Sequence, residues 1–235
     1  MIYCISDLHG DYIRYTTMLK MIDFSDDDTL YILGDILDRG NEGMKILLDM
    51  MLRPNVYPIL GNHEYMAMQT LKWLSNDITE ESLANLSSDK IEGINEWLNV
   101  GGMTTIDEFR KLSEEEKEMV LEYLEEFSLY EEVTVEGKNF VLVHAGIDNF
   151  SPEKDMEEYE LYELIFNKPD YSKVYFEDKY LITGHTPTRF IHDEIDGHSR
   201  NTVFFGNNHI AIDCGCGYDG LLGAICLDTF EDFYA

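Results

Sequence analysis

Five apolar, strand-like stretches of this chain each end in a short cluster of His, Asp, Asn or Gly, and that punctuation restricts the fold more than any other feature. Ile2–Ser6 breaks at Asp7-Leu8-His9, and Thr29–Leu33 breaks at Gly34-Asp35-Ile36-Leu37-Asp38-Arg39-Gly40. Val56–Leu60 breaks at Gly61-Asn62-His63-Glu64, Asn139–Val143 at His144-Ala145-Gly146, and Tyr180–Thr183 at Gly184-His185-Thr186. Helical patterns separate the first three strands. One runs over about Asp11–Ile22, and the other over about Glu42–Met51, with Asn41 as its candidate cap. Alternating strands and helices predict an α/β sheet with sizeable parallel pairing. Open α/β sheets bind ligands beyond the carboxyl ends of their strands, so the five clusters are placed to converge on one site.

The rest of the chain reads as follows. From Tyr65 to about Phe127 the pattern is helical only, and Ser113-Glu114-Glu115-Glu116 starts its last helix as a capping box. This segment reads as a helical cap inserted at about residues 65–130 of a single domain spanning 1–235. Glu131–Glu136 and Asn139–Val143 form a hairpin around Gly137-Lys138. Ser151-Pro152 opens a helix to about Phe166. Thr202–Phe205, His209–Asp213 and Leu222–Asp228 read as strands between Gly-rich turns.

Composition excludes several classes. The 235 residues are 44% hydrophobic, a globular composition that can bury a full core. Net charge is -30, with 47 acidic against 17 basic residues. Such a surface does not bind a nucleic-acid backbone or an anionic membrane, both of which need clustered Lys and Arg. No apolar run approaches the roughly 20 residues of a membrane helix. Met1–Ile5 lacks a basic leader, and the first candidate ligand comes at Asp7, so the reading is a cytoplasmic protein without a signal peptide. Cys4, Cys214, Cys216 and Cys226 then read as buried free thiols.

The clusters offer imidazole, carboxylate and one amide oxygen, a donor set for Mn, Fe, Zn or Co rather than for a thiolate zinc site. Each cluster alone has an ordinary explanation: a turn, a helix start, a satisfied core histidine or a surface ion pair. Five of them, each at a strand end, do not.

Their order, Asp-x-His, Gly-Asp-x-x-Asp-Arg-Gly, Gly-Asn-His-Glu, His-Ala-Gly, Gly-His-Thr, resembles the phosphoprotein phosphatase branch of the calcineurin-like metallophosphoesterases. The resemblance covers residues 1–65 and 139–190 well, 202–228 loosely and the helical insertion hardly at all. It implies an α/β (α+β) fold, a β-sandwich flanked by helices. It also implies two divalent metal ions, with Asp7 and His9 on the first, Asp35 bridging, and Asn62, His144 and His185 on the second. His63 corresponds to the general acid, Asp38 to its hydrogen-bond partner, and Arg39, with Asn62, to the phosphate grip. A second phosphate-binding Arg is usual after the His-Ala-Gly motif. Here Leu164-Ile165-Phe166-Asn167-Lys168 puts Lys168 in its place, which supplies charge without a bidentate fork. Tyr218-Asp219 lie in a Gly-rich loop that borders the site in relatives. His192, His198 and His209 match no motif.

The implied reaction is direct attack of a metal-activated hydroxide on phosphorus. The substrate read first is a phosphorylated protein, as for a broad-specificity serine/threonine phosphatase, or a small phosphoester. The alternative is a symmetrical bis(5′-nucleosyl)-tetraphosphatase, and the non-enzyme alternative is a pseudo-phosphatase that binds phosphorylated partners. Oligomeric state is not legible in the sequence.

Overall fold

Period-two alternation divides the central strands between two cores. In β1 (Ile2–Ile5), Tyr3 and Ile5 face one side and Cys4 the other; in β2 (Thr29–Leu33), Leu30 and Ile32 share the side of Tyr3, and Leu33 that of Cys4. The computed structural model describes residues 1–75 and 87–235; the part of the expected insertion at 76–86 lies outside the described residues. β1, β2 and β3 (Val56–Ile59) run parallel. Antiparallel β9 (Gly223–Cys226) and β10 (Asp232–Tyr234) complete a sheet of order β10-β9-β1-β2-β3. The second sheet is formed by β4 (Tyr130–Val135), β5 (Lys138–Val143), β6 (Lys179–Thr183), β7 (Phe204–Gly206) and β8 (His209–Ala211). Its order is β4-β5-β6-β8-β7, with β5, β6 and β8 parallel.

The sheets face each other. Cys4, Leu33, Ile59 and Ile225 of the first pack with Phe140, Leu142, Ile182 and Ile210 of the second. The outer face of the first sheet is covered by α1 (Tyr12–Met21), α2 (Gly43–Met50) and α3 (Asn62–Leu74), followed by α4 (Ser88–Asn99), α5 (Gly102–Phe109) and α6 (Glu114–Glu125). Trp97, Ile106, Phe109, Val120 and Leu124 of α4, α5 and α6 share one core with Ile5, Ile32 and Leu71. Burying each of these large side chains contributes about 1.5–3 kcal/mol, so these helices are fixed to the sheet. The other outer face is covered by α7 (Leu161–Ile165), packed on Val141, Val143 and Leu181, and by α8 (Thr188–Asp196), whose Ile191 meets Phe204 and Ala211. Among the described residues there are eight α-helices, none long and apolar enough to cross a membrane.

The layered α/β architecture and the Ser113 capping box match the sequence reading: Ser113 Oγ accepts from Glu116 N and Glu116 Oε2 accepts from Ser113 N. Four local expectations are corrected. Glu42, not Asn41, precedes α2 and makes no side-chain cap. The hairpin turns at Glu136 and Gly137, one residue early, because both hold positive φ (49° and 76°), as a two-residue primed turn requires. The long helix expected from Ser151 is two short pieces, Met156–Glu158 and α7. Glu158 and Glu163 fold back onto the backbone N–H of Asp155 and Glu160, each starting a new turn in place of one continuous helix. The helical run after β3 begins at Asn62, within the Gly-Asn-His-Glu motif, rather than at Tyr65.

Candidate active site

All five strand-end clusters lie on one side of the sandwich, because β1, β2 and β3 of one sheet and β5 and β6 of the other end there. Backbone hydrogen bonds join the loops: Asp7 N donates to Gly34 O, His9 N to Asp35 O, and Gly184 N to His144 O. Glu64, fully buried on α3, ties the remaining loop. Its carboxylate accepts from the N–H groups of Asp35, Ile36, Leu37 and Gly61 at 2.7–3.2 Å.

Asp35 is the centre. Its carboxylate lies 3.8 Å from His9 Nε2, 3.8 Å from His63 Nε2 and 3.4 Å from His144 Nε2. Two ligand groups share it, His9-Asp35-His63 and Asp35-His144-His185, with the donor atoms of each within 4.8 Å of one another. His9 Nδ1 donates to Leu37 O (2.9 Å) and His144 Nδ1 to Leu33 O (2.6 Å), so both Nε2 lone pairs point inward. Asn62 Oδ1 is 3.0 Å from His144 Nε2, which is itself 3.2 Å from His185 Nδ1. Asp7 sits behind, accepting from His185 N at 2.9 Å.

Burial decides the protonation states. It pushes His9 down to about 3 and His185 down to about 4, keeping their imidazoles neutral and able to ligate. Burial also opposes ionisation of Asp35, but its histidine neighbours, His144 and then His63 foremost, override it and hold the carboxyl below its usual range. His63 behaves differently. Burial alone would lower it, yet Asp35 and the 2.6 Å bond from its Nδ1 to Asp38 Oδ2 raise it above 6.5. Burial, then mutual repulsion, raises Asp7 well above its usual value. Asp213 stands at about 7, chiefly from burial, with Gly215 N–H and the charges of Arg39 and Arg189 acting against the rise. Three crowded carboxylates and inward imidazole lone pairs form a donor set that a pair of divalent cations satisfies.

The local backbone is strained where the site needs it. Asp7, His9, Asp35, Asp38, Arg39 and His185 all hold φ between 45° and 72°, a region non-glycine residues avoid. Such residues cost about 1–3 kcal/mol each and persist only where surrounding structure over-determines them. Gly61 shows how tight the fit is: a Cβ there would stand 2.4 Å from Asp35 N and 2.4 Å from its Oδ1.

Sequence reasoning missed several contributors. Asp38 receives three side-chain donors: His63 Nδ1, Trp97 Nε1 (2.7 Å) and Thr105 Oγ1 (2.6 Å), the last two from α4 and α5. No local motif marks these helices as part of the site. Asp213 follows β8, a sixth strand end whose Asp-Cys-Gly was readable by the same logic. The Tyr218 loop, by contrast, was expected from the resemblance to border the site, and Gly217 puts it there, since a Cβ at Gly217 would meet His9 Cδ2 at 2.1 Å. Arg39 spans His9 Nε2 (2.7 Å) and His63 Nε2 (3.3 Å), with its Cζ 4.4 Å from the Tyr218 ring centroid. Lys168 is not brought into this group: its Nζ pairs with Glu194 at 2.7 Å, and both side chains are more than half exposed. Outside the site, His209 is buried against Thr183 Oγ1, His192 bonds Thr202 O, and His198 is exposed.

The sequence profile of the calcineurin-like phosphoesterase family matches residues 1–210. The chain belongs to that family. The shared Asp35 fits the two-metal centre of that family. A symmetrical bis(5′-nucleosyl)-tetraphosphatase of Buchnera aphidicola subsp. Schizaphis graminum is 34% identical over 115 residues, 47% of this chain and 42% of that protein. One from Wigglesworthia glossinidia brevipalpis is 30% identical over 113 residues, with the same shares covered. The chain thus spans less than half the length of these curated relatives. Among solved structures, one provisionally assigned as a diadenosine tetraphosphatase superposes with TM-score 0.67 at 16% identity, covering 100% of this chain and 92% of that one. A Saccharomyces cerevisiae serine/threonine phosphatase superposes at 0.55 with 13% identity, covering 100% and 79%. At these identities the likeness is one of fold.

Proposed function

We propose that this member of the family cleaves dinucleoside polyphosphates symmetrically, releasing nucleoside diphosphates from a tetraphosphate. The observation that carries the hydrolytic part is the single Asp35 carboxylate shared by two histidine-containing ligand groups. The substrate part is supported by the names of the curated relatives. It moves the reading away from the protein phosphatase that the chain's motifs first suggested.

In this reading Asp7, His9 and Asp35 hold one divalent ion, and Asp35, Asn62, His144 and His185 hold the other. Manganese is the ion we would supply first. The ions, when bound, supply Lewis-acid charge and lower the pKa of water. The chain's own residues do the rest. Arg39 grips the phosphoryl oxygens through its planar fork. A water that has lost one proton to solvent would bond through its oxygen to phosphorus as the bridging P–O bond breaks, and His63 Nε2 would give its own proton to the departing oxygen, to be re-protonated from solvent afterwards. Asp38 fixes the His63 tautomer by taking the Nδ1 proton as a hydrogen bond. Lys168 takes part only if it leaves Glu194.

A groove between α3, α4 and α7 supports a substrate with bases. It encloses about 430 Å³, and Tyr65, Tyr162 and Phe166 form its aromatic end. Tyr65 lies one helical turn beyond Asn62, and Tyr162 and Phe166 flank the Leu164 carbonyl that accepts from Ala145 N beside His144. Tyr162 and Phe166 are 60% and 40% exposed, which leaves ring surface for stacking. Four buried free thiols suit a reducing cytoplasmic setting.

The test is a manganese-supplemented panel of diadenosine tetraphosphate, p-nitrophenyl phosphate, a phosphothreonine peptide and a phosphotyrosine peptide, each with a chelator control. Chelator-sensitive conversion of the dinucleotide to ADP alone supports the proposal. Turnover of peptides without the dinucleotide would replace it with the protein phosphatase reading.

A further inference from the structure

Arg189 is a cation beside the site that the reaction above does not use. It is the second residue of α8, four positions after His185. Its Nε is buried without a hydrogen-bond partner, and no ion pair with it forms among the described residues. That is unusual in a chain with 47 acidic residues. On its own helix Glu194 holds Lys168 at 2.7 Å and Asp196 holds Arg200 at 2.9 Å, while Asp193, four positions on, and the buried Asp213, which feels the charge of Arg189, form no ion pair with it.

Arg189 instead lies between two rings, its Cζ 4.7 Å from the Phe190 centroid and 5.6 Å from that of Tyr218, while Arg39 Cζ is 4.4 Å from the Tyr218 centroid. The Tyr218 loop is seated on His9 through Gly217, so the ring that both guanidiniums approach stands beside the site. A buried, unpaired guanidinium donor is costly and calls for an acceptor. An anion with two oxygens side by side, as a phosphoryl group presents, matches its fork. Arg39 already lies against His9 and His63, where the attacked phosphoryl group belongs.

We propose that Arg189, across Tyr218 from the Arg39 guanidinium, forms a second phosphoryl-binding subsite that holds the phosphoryl group next to the one attacked. The proposal rests on the polyphosphate reading of the substrate. A phosphomonoester has no group to place there, so Arg189 sets specificity for phosphoanhydride chains.

The experiment uses ADP and AMP as competitive inhibitors of p-nitrophenyl phosphate hydrolysis by the manganese-loaded protein. They share base and sugar and differ by one phosphoryl group. Arg189→Gln should raise the ADP inhibition constant about 10- to 100-fold, the worth of one charge-assisted contact. The AMP constant and the kcat for p-nitrophenyl phosphate should stay within about threefold. Arg189→Lys should give an intermediate ADP constant, which separates lost charge from lost fold. Arg200→Gln, beyond the far end of α8, should change nothing. Equal weakening of ADP and AMP would put Arg189 on the attacked phosphoryl and overturn the subsite. No change in either would overturn it as well. Failure of the wild type to cleave diadenosine tetraphosphate would defeat the proposed function while leaving the ADP result to stand or fall alone.

Discussion

Asp38→Asn isolates the proton donor from the metal centre. Asp38 Oδ2 accepts from His63 Nδ1 and Trp97 Nε1, and Oδ1 accepts from Thr105 Oγ1. An asparagine can keep this network. Its oxygen faces His63 and Trp97, and its NH₂ donates to the Thr105 hydroxyl, which can turn to accept. Shape is preserved and only the charge is lost. A hydrogen bond to a charged group is worth about 1.5–3 kcal/mol, which is about one to two pKa units on His63. Wild-type His63 is raised above 6.5, so it stays protonated, and able to donate, until pH passes its folded value. In the variant that descending limb should move down by about one to two pH units. Above both limbs, hydrolysis of phenyl phosphate should fall about 10- to 100-fold. Hydrolysis of p-nitrophenyl phosphate, whose leaving group needs no proton, should stay within about threefold. The assay is the pH profile of both substrates with metal content checked in parallel. An equal fall on both substrates, or an unmoved limb, would refute the role of the Asp38–His63 pair.

Glu64→Gln should leave two of four buried N–H donors facing an NH₂ group, costing about 2–6 kcal/mol and lowering Tm by several degrees or more; an unchanged Tm would contradict the bracing role of Glu64. Burial raises the thiols of Cys4 and Cys214 and pushes Cys216 up to about 12, so an aromatic disulfide reagent at pH 8 should label no cysteine of the native protein and all four after denaturation. Burial also holds His209 at about 3, against 6.5 unfolded, so below pH 6.5 the unfolded chain binds a proton that the folded chain does not. Wild-type stability should therefore drop about 1 kcal/mol more than that of His209→Gln between pH 6.5 and 5.5, measured by urea unfolding; parallel losses would show that His209 titrates normally.

The strand ends were legible because their chemistry and position reinforce each other. Asp7, Asp35, Asn62, His144 and His185 each follow an apolar run, and parallel strands must deliver their ends to one side. Positive φ at six of the site residues is the backbone form of the same constraint, and no propensity reveals it. Trp97 and Thr105 were not legible, because their contact with Asp38 depends on how two helices pack about 60 residues downstream, a tertiary property. Lys168 satisfied a sequence position but in space is claimed by Glu194. The Ser151–Phe166 stretch failed for a local reason. Its glutamates bond back to preceding N–H groups, and that competition with a continuous helix is invisible to periodicity.

The central claim is that Asp35 joins two metal positions in one hydrolytic centre. Elemental analysis of manganese-loaded, desalted protein tests it directly. The account predicts two ions per wild-type chain, at most one in Asp35→Asn, and loss of phosphoester hydrolysis in step. One ion or none in the wild type, or two retained by the variant, would contradict it.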